Sequence, residues 1–334
     1  MTGGSLILTD HQSVFREETT MKVAVIEPLG IPQETALAIA KEKLGDRAEI
    51  VYYDSVTKDP AEQIARGKDA DVVIDTNIPL GDEAIRGFEN CKLLDIAFTG
   101  VDHVAMDTCR ELGIMVNNCA GYSTACVSDL VFGMLISLMR NIAACDTATR
   151  NGGTLAGLIG NELEGKRFGV IGTGAIGTRV AKIADAFGCE VVAYSRTVKD
   201  IPYIKYMDLD EVMKTSDIIS LHMPNNAQTK GMISAEKIAL MKKNAILVNL
   251  ARGPVLDSRA LADALNEERI AGACIDVFEM EPPIPGDHPL LNSKNTLVTP
   301  HVAFASKEAM IKRAHIVFEN VAAFMDGKPQ NVMN

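Results

Sequence analysis

Short apolar runs alternate with longer stretches of helical periodicity from residue 21 to the end of the chain. The runs are continuous rather than alternately polar, which is typical of strands buried on both faces in a parallel sheet between helices. Strands and helices in alternation predict βαβ units and therefore an α/β fold. Eleven runs are predicted as strands: 23–26, 50–53, 72–74, 93–97, 114–116, 168–171, 191–194, 218–221, 245–249, 274–277 and 296–298.

The predicted strands fall into two clusters, which predicts two sheets. Between the clusters, a helical stretch from Ser123 to Asn151 is apolar around much of its surface. A helix of this kind is buried in a core or lies at a subunit interface. Residues 1–20 are polar and lack a clear period, so we predict an N-terminal extension outside the fold.

The composition narrows the class of protein. The 334 residues are 47% hydrophobic and 23% charged, which is ordinary for a globular protein of two domains. No apolar run reaches the roughly 18 residues of a membrane span, and the start lacks the pattern of a signal peptide. The formal net charge of −11 disfavours non-specific nucleic-acid binding. We therefore expect neither a membrane nor a nucleic acid as partner.

Cysteine usage bears on the redox compartment. The seven cysteines are scattered, odd in number and without CxxC spacing. This pattern argues against a disulfide framework and against a zinc site. We expect no metal ion, and we expect the reducing cytoplasm as the location.

A glycine-rich segment, Gly172-Thr-Gly174-Ala-Ile-Gly177, lies between a predicted strand and a helical pattern. In this G-x-G-x-x-G arrangement the first glycine permits a tight turn, the second lets backbone approach a pyrophosphate, and the third lets helix and strand pack closely. The helix start then offers free N–H groups to the phosphates. Strand, loop, helix and second strand occur in register, so we predict a dinucleotide site.

The end of the following strand indicates which dinucleotide binds. An acidic residue about 20 positions after the loop normally accepts a hydrogen bond from the adenosine ribose. Here Ser195, Arg196 and Thr197 occupy that place, and Asp200 comes too late. Hydroxyl and guanidinium groups suit a 2′-phosphate, so NADP(H) is the favoured cofactor. NAD(H) is the alternative, since Arg196 could instead face solvent.

Three residues beyond later strands are candidates for chemistry. Arg252, Glu281 and His301 each follow a predicted strand. Ligands bind outside the carboxyl ends of the strands in open α/β sheets, so the three side chains are predicted to converge. His222 also follows a strand, and the residues alone do not choose between it and His301.

At this point the chain resembles the D-isomer-specific 2-hydroxyacid dehydrogenases, which include phosphoglycerate, D-lactate and formate dehydrogenases and glyoxylate/hydroxypyruvate reductases. The likeness extends over about residues 21–327, and four motifs occur in the expected order. They are Leu163-Glu-Gly-Lys through Gly177, Asn249-Leu-Ala-Arg-Gly, Asp276-Val-Phe-Glu-Met-Glu-Pro and Thr299-Pro-His.

The resemblance implies the catalytic roles. Arg252 binds the carboxylate and carbonyl of a small 2-keto or 2-hydroxy acid, His301 donates or accepts the proton, and Glu281 orients His301 and favours its charged form. Hydride moves between the nicotinamide and C2 of the acid. A guanidinium and an imidazolium can stabilise the negative charge that develops on the carbonyl oxygen.

The resemblance also implies binding residues. The backbone of Gly100 and Val101 cradles the substrate carboxylate. Apart from the resemblance, the pocket wall has four candidates, any of which could instead be an ordinary core residue: Phe98, Val101, Tyr122 and Phe304. Cofactor contacts extend beyond the glycines and the Ser195 segment to Ala175, Ile176, Pro224, Leu250, Ala251 and Asp276, the last near the nicotinamide carboxamide.

The implied architecture has two doubly wound parallel-sheet domains. A Rossmann nucleotide-binding domain of residues 119–304 is inserted into a flavodoxin-like substrate domain of residues 21–118 and 305–334. Closure of the cleft between them excludes water. A homodimer through the helix from Ser123 to Asn151 is also implied.

Two alternative functions stay open. The carboxy-terminal-binding corepressors share this fold and the same Arg, Glu and His, so a dinucleotide-sensing binding protein is one alternative. A family enzyme acting on formate or phosphite is the other. The residues do not identify the substrate.

Overall fold

In the computed structural model, which describes residues 20–334, the strands form two separate parallel sheets. The predicted extension lies outside the described residues except for Thr20, which is exposed. The prediction of two doubly wound parallel-sheet domains is confirmed.

The first sheet has five strands in the order β2-β1-β3-β4-β5, which is the flavodoxin-like order. Its strands are β1 (Met21–Val25), β2 (Ala48–Tyr52), β3 (Val72–Asp75), β4 (Leu93–Ile96) and β5 (Met115–Asn118). Its connecting helices are α1 (Gln33–Leu44), α2 (Pro60–Gly67), α3 (Asp82–Arg86) and α4 (Met106–Leu112). Every residue of β3 and β4 is buried, as the continuous apolar runs predicted.

The stretch from Ser123 to Asn151 is two helices, so its prediction as one long helix is wrong. Helix α5 (Thr124–Met139) and helix α6 (Ile142–Arg150) meet at an angle of 56°. Asn141 between them has a left-handed backbone with φ of 53°, which an α-helix cannot contain. Helix α5 buries seven residues against the second sheet and its helix α7, whereas α6 buries none.

The second sheet has seven strands in the order β12-β11-β10-β9-β6-β7-β8, the Rossmann order with one further strand at its edge. Its strands are β6 (Arg167–Ile171), β7 (Glu190–Tyr194), β8 (Lys205–Tyr206), β9 (Ile218–Leu221), β10 (Ile246–Asn249), β11 (Gly272–Ile275) and β12 (Thr296–Val298). Its helices are α7 (Ala175–Ala186), α8 (Leu209–Thr215), α9 (Ala235–Ala239) and α10 (Ser258–Asn266). Strand β8 was not among the eleven predicted strands.

The end of the chain packs on the first sheet. Helix α11 (Lys307–Met325) lies against α1 and β4, and the Ser306 side chain caps its first turn. Beyond it, Asn118 N–H donates to the Asn331 carbonyl at 3.1 Å. Short 3-10 helices occupy Gly45–Arg47, Gly253–Val255 and Pro289–Asn292. In residues 20–334 no single helix is long and apolar enough to cross a membrane, although the bent pair α5 and α6 meets that criterion jointly.

Candidate active site

Two adjoining cavities lie at the carboxyl ends of the strands. The first, of about 290 Å³, is lined by loops of both sheets, including Phe98, Gly100, Arg252 and His301. The second, of about 640 Å³, is lined by loops of the second sheet alone. The two cavities share Gly174, His222, Met223 and Pro224. One ligand can therefore extend from the second cavity into the first.

The glycine-rich loop forms the floor of both cavities. Gly172 has φ of 97°, and a side chain there would meet the His222 carbonyl oxygen at 2.6 Å. A side chain at Gly177 would collide with the Gly172 carbonyl, so the strand and α7 need glycine to pack this closely. At Gly174 a side chain would meet nothing within 4 Å. The first turn of α7, with Ala175 and Ile176, faces the first cavity.

The far end of the second cavity contains cations and hydroxyls. The cavity is lined by the three residues predicted to contact the adenosine ribose or its phosphate: Ser195, Arg196 and Thr197. The Ser195 hydroxyl also accepts from the Thr173 N–H at 3.4 Å. Lys199, which the sequence reasoning did not select, lines the same cavity and donates to the Thr178 hydroxyl at 3.3 Å. Among the described residues that line this cavity, none is acidic.

His301 stands beside a carboxylate at the mouth of the first cavity. Its Nδ1 lies 2.7 Å from Glu281 Oε2. The rings of Phe98 and Phe304 meet the imidazole edge-on, at centroid distances of 5.9 and 5.4 Å. The backbone of His301 is left-handed, with φ of 56°, a conformation that costs a non-glycine residue about 1–3 kcal/mol. The surrounding loop must therefore hold it firmly.

Asp276 holds that loop. Its carboxylate accepts from the Thr299 hydroxyl at 2.5 Å and from the N–H groups of Val302 and Ala303, both at 2.9 Å. Its carbonyl accepts from the His301 N–H at 2.8 Å. Asp276 is fully buried and lines neither cavity, so its predicted contact with a carboxamide stays a prediction.

The ionisation of Glu281 follows from its neighbours. The hydrogen bond with His301, above all, holds the pKa of Glu281 below its usual value, and the charges of His301 and Arg252 act in the same direction. Burial opposes this shift. Glu281 is therefore a carboxylate at neutral pH.

His222 has a different environment from His301. Its Nε2 lies 2.9 Å from the Ser220 hydroxyl, and burial lowers the pKa of His222 to about 4. This imidazole is therefore neutral at physiological pH and poorly suited to donate a proton. The structure thus favours His301 as the acid of the pair.

Arg252 reaches across the cleft from the second sheet to the first. Its Nε donates to Asp102 Oδ1 at 3.1 Å, and its Nη1 donates to the Ala251 carbonyl at 2.8 Å. The guanidinium lies so close to Gly100 that any side chain there would overlap it. Asp102 was not selected from the sequence, because a partner 150 residues away leaves no local pattern. Within residues 20–334 the Arg252 side chain makes no further hydrogen bond, so its other N–H groups are available to a ligand.

The turn before Arg252 is fixed by a buried amide. Asn249 donates from Nδ2 to the Arg252 carbonyl at 2.9 Å and accepts from the Ala251 N–H at 3.1 Å. This places Leu250 and Ala251 on the wall of the first cavity.

The structure brings most of the predicted site residues together, with some exceptions. Phe98, Tyr122 and Phe304 line the first cavity, and Pro224 lines both. Val101 lines neither and packs on the core of the first sheet. Within residues 20–334 no group of three His, Cys, Asp or Glu side chains is arranged to bind a metal ion.

Comparisons with known proteins identify the family. Residues 132–303 match the family model described as D-isomer specific 2-hydroxyacid dehydrogenase, NAD binding domain. The chain is 35% identical over 297 residues to a hydroxypyruvate reductase of Blautia hydrogenotrophica, covering 85% of this chain and 91% of that protein.

Two solved structures agree with this match. An acyclic imino acid reductase in complex with NADPH and D-Arg superimposes with a TM-score of 0.85 at 32% identity, covering 94% of this chain and 100% of the other. A D-lactate dehydrogenase of Aquifex aeolicus with NAD and lactic acid gives a TM-score of 0.79 at 29% identity, with 92% and 96% covered. The chain belongs to the D-isomer-specific 2-hydroxyacid dehydrogenase family, whose members are nicotinamide-dependent oxidoreductases.

Proposed function

We propose that the protein is an NAD(P)-dependent reductase of small 2-keto acids that also oxidises the corresponding D-2-hydroxy acids. The observation that carries this proposal is the pairing of His301 with Glu281 at a cavity that Arg252 also lines. An acid, a carboxylate-binding cation and a dinucleotide loop adjoin one another there, as reduction of a 2-keto acid requires.

The glycine loop supports binding of the dinucleotide. Gly174 leaves open space, and the free N–H groups at the start of α7 face that space. When bound, the nicotinamide supplies or accepts the hydride at C2 of the acid.

Arg252 and His301 have different roles in the reaction: Arg252 binds the substrate, and His301 transfers the proton. The free edge of the guanidinium binds the substrate carboxylate and stabilises charge on the carbonyl oxygen. Protonated His301 gives its proton to that oxygen as the hydride arrives at C2, and neutral His301 takes it back in the oxidation. Glu281 holds the ring through Nδ1 and favours the imidazolium.

The first domain completes the substrate site. We place the substrate carboxylate beside Arg252 and the backbone of Gly100, which line the first cavity, and propose the backbone of Val101 as the adjoining contact, although Val101 packs on the core. The cleft divides residues 21–118 with 305–334 from residues 119–304, and its closure excludes water from the hydride transfer.

NADP(H) is the proposed cofactor. Arg196 and Lys199 supply positive charge where an acidic residue would be needed to select NAD(H). The hydroxyls of Ser195 and Thr197 add donors for a 2′-phosphate. The related imino acid reductase was solved with NADPH, whereas the D-lactate dehydrogenase was solved with NAD.

A homodimer through α5, α6 and the segment that follows them is also proposed. Three large apolar side chains of this segment are exposed, Ile142, Leu155 and Ile159, and so is Phe187 after α7, whose ring stacks on Phe132 of α5. We also propose a cytoplasmic location, because all seven cysteines are unpaired.

A panel of 2-keto acids assayed with NADPH and NADH tests the function. We expect glyoxylate, hydroxypyruvate, pyruvate or a branched 2-keto acid to be reduced, with NADPH preferred, and the activity to be lost in Arg252→Ala. Turnover of formate or phosphite instead would favour the corresponding dehydrogenases. Tight peptide binding without any turnover would favour a corepressor.

A further inference from the structure

Two buried carboxyl groups and one half-buried histidine lie behind the loops that form the first-domain side of the cleft. They are Glu27 after β1, Asp75 at the end of β3 and His103 after β4. We propose that this buried acid cluster shares one proton between Glu27 and Asp75 and thereby positions Arg252 and Glu281 for the reaction. The proposal rests on the proposed function, and it assigns positioning roles to residues that do not touch the substrate.

The hydrogen bonds within the cluster require a proton. Asp75 is fully buried; its Oδ2 lies 3.1 Å from His103 Nε2, whereas its Oδ1 has no hydrogen-bond partner within residues 20–334. Glu27 Oε1 accepts from the N–H of Thr76, the residue that follows Asp75, so the two buried carboxyl groups are neighbours. Two ionised carboxylates cannot bond, since both are acceptors only. A proton held by Glu27 supplies the donor that Asp75 Oδ1 lacks.

The electrostatics agree with one retained proton. Burial, and then repulsion from Asp75, raises the pKa of Glu27 to about 8. Burial also raises the pKa of Asp75 to about 7, although the hydrogen bond with Glu27 opposes this. Burial lowers the pKa of His103 to about 4, so its ring is a neutral donor. At neutral pH the pair therefore retains a proton.

Other charged groups surround the cluster without supplying that proton. Asp102, Arg252 and Glu281 act on His103 electrostatically, and their effects partly cancel. Arg66 approaches from α2 and donates to the Ile26 carbonyl at 2.7 Å. Arg66 therefore donates to backbone at this point and not to the carboxyl group of Glu27.

Glu27 holds the loop of residues 76–78, which follows β3 and lies near Glu281, the partner of His301. Its Oε1 accepts from the N–H groups of Thr76 at 2.6 Å, Asn77 at 2.7 Å and Ile78 at 3.1 Å. Asn77 lies close enough to Glu281 to contribute, as the smallest of several causes, to the lowered pKa of that carboxyl. The conformation of this loop therefore bears on the partner of His301.

A second loop, which follows β4 and contains Asp102 and His103, connects the cluster to Arg252. His103 directly follows Asp102, whose carboxylate holds Arg252 Nε at 3.1 Å. The His103 carbonyl also accepts from the Leu80 N–H at 2.9 Å, which joins this loop to the first. The partner of Arg252 and the loop near Glu281 thus both belong to segments anchored to the cluster.

Loss of the shared proton should loosen this arrangement. Above the pKa of Glu27 two adjacent buried carboxylates repel each other, and Asp75 Oδ1 loses its donor. Glu27→Gln is the informative change, because the amide keeps an acceptor for the loop and a permanent donor for Asp75. In Glu27→Gln the group that donates to Asp75 does not ionise at any pH of the test.

The test compares Glu27→Gln, Glu27→Ala and the exposed control Glu49→Gln with the wild type, from about pH 6 to about pH 9. The wild type and Glu49→Gln should show a KM for the keto acid that rises about tenfold on the alkaline side, with cofactor affinity unchanged. Glu27→Gln should keep a low KM throughout, and Glu27→Ala should show the raised KM at every pH. An unchanged alkaline rise in Glu27→Gln would overturn the proposal.

A second measurement does not depend on turnover. A carboxyl whose pKa is higher in the folded state loses stabilising effect as pH rises from its unfolded value toward the folded value near 8. The Tm of the wild type should therefore fall relative to that of Glu27→Gln between about pH 5 and about pH 8. Parallel Tm curves would refute the shared proton. Absence of all keto-acid turnover with the expected Tm difference would instead refute the proposed function alone.

Discussion

His301 and Glu281 are joined by a 2.7 Å contact between Nδ1 and Oε2, although they follow different strands of the second sheet. The side chain of His301 is only 12% exposed, whereas that of Glu281 is 51% exposed. The contact occupies Nδ1 and leaves Nε2 for a ligand in the first cavity. The imidazole is thus held in one orientation by a group that water can still reach.

Replacing His301 should abolish proton transfer while leaving the dinucleotide loop intact. We expect His301→Asn to lower kcat by about 10²–10⁴, the usual contribution of a general acid. Binding of NADPH, followed by fluorescence titration, should change little. His315→Asn, on α11 outside both cavities, is the matched control and should behave as the wild type. A near-normal kcat in His301→Asn would exclude His301 as the proton donor.

The pH dependence should report the Glu281 carboxylate. Because its pKa lies below the usual value, Glu281 stays ionised as the pH falls and supports the imidazolium throughout the neutral range. Glu281→Gln removes that charge, so the decline of keto-acid reduction on the alkaline side should begin at a lower pH. Profiles of kcat/KM for the two proteins measure the difference. Superimposable profiles would mean that Glu281 only fills space.

Cofactor choice should depend on the cations of the second cavity. The double variant Arg196→Ala/Lys199→Ala should lower kcat/KM for NADPH by about 10–100-fold, as expected for lost charge-assisted contacts, and change NADH little. Lys205→Ala, which removes an exposed cation on the neighbouring strand β8, is the control. Equal or higher efficiency of the wild type with NADH would contradict the NADP(H) proposal.

The exposed apolar face should be covered in solution. Light scattering is expected to show a dimer for the wild type and a monomer for Ile159→Asp, since a buried unpaired charge is strongly unfavourable at an interface. Ile159 is 83% exposed in the single chain. Val56→Asp changes a residue 63% exposed elsewhere and should leave the dimer intact. A monomeric wild type at all concentrations would remove the proposed interface.

Burial explains why most of the fold was predictable. Strands such as Ile218–Leu221 are covered on both faces, and a short apolar run is the direct consequence in sequence. Strand β8 was missed because it has two residues, Lys205 and Tyr206, at the edge of the sheet. The break at Asn141 was missed because the apolar pattern resumes at Ile142, and a single left-handed residue leaves little trace.

The site residues that belong to short sequence motifs could be predicted from the sequence. The glycine loop and the strand-end residues Arg252, Glu281 and His301 carry their signals in short motifs. Asp102 and Asn77 bear on Arg252 and Glu281 only after folding brings the two domains together. Lys199 reaches the second cavity because the chain turns after β7, and the spacing rule for a single acidic position does not describe that turn.

Direct transfer of label is the measurement that tests the central claim most sharply. NADPH deuterated at the transferable position of the nicotinamide is incubated with a 2-keto acid, and the product is analysed by NMR and chiral chromatography. We expect the wild type to form a D-2-hydroxy acid with deuterium at C2. His301→Asn should form this labelled product much more slowly. An unlabelled product, an L product, or labelled product formed equally fast without His301 would contradict the central claim.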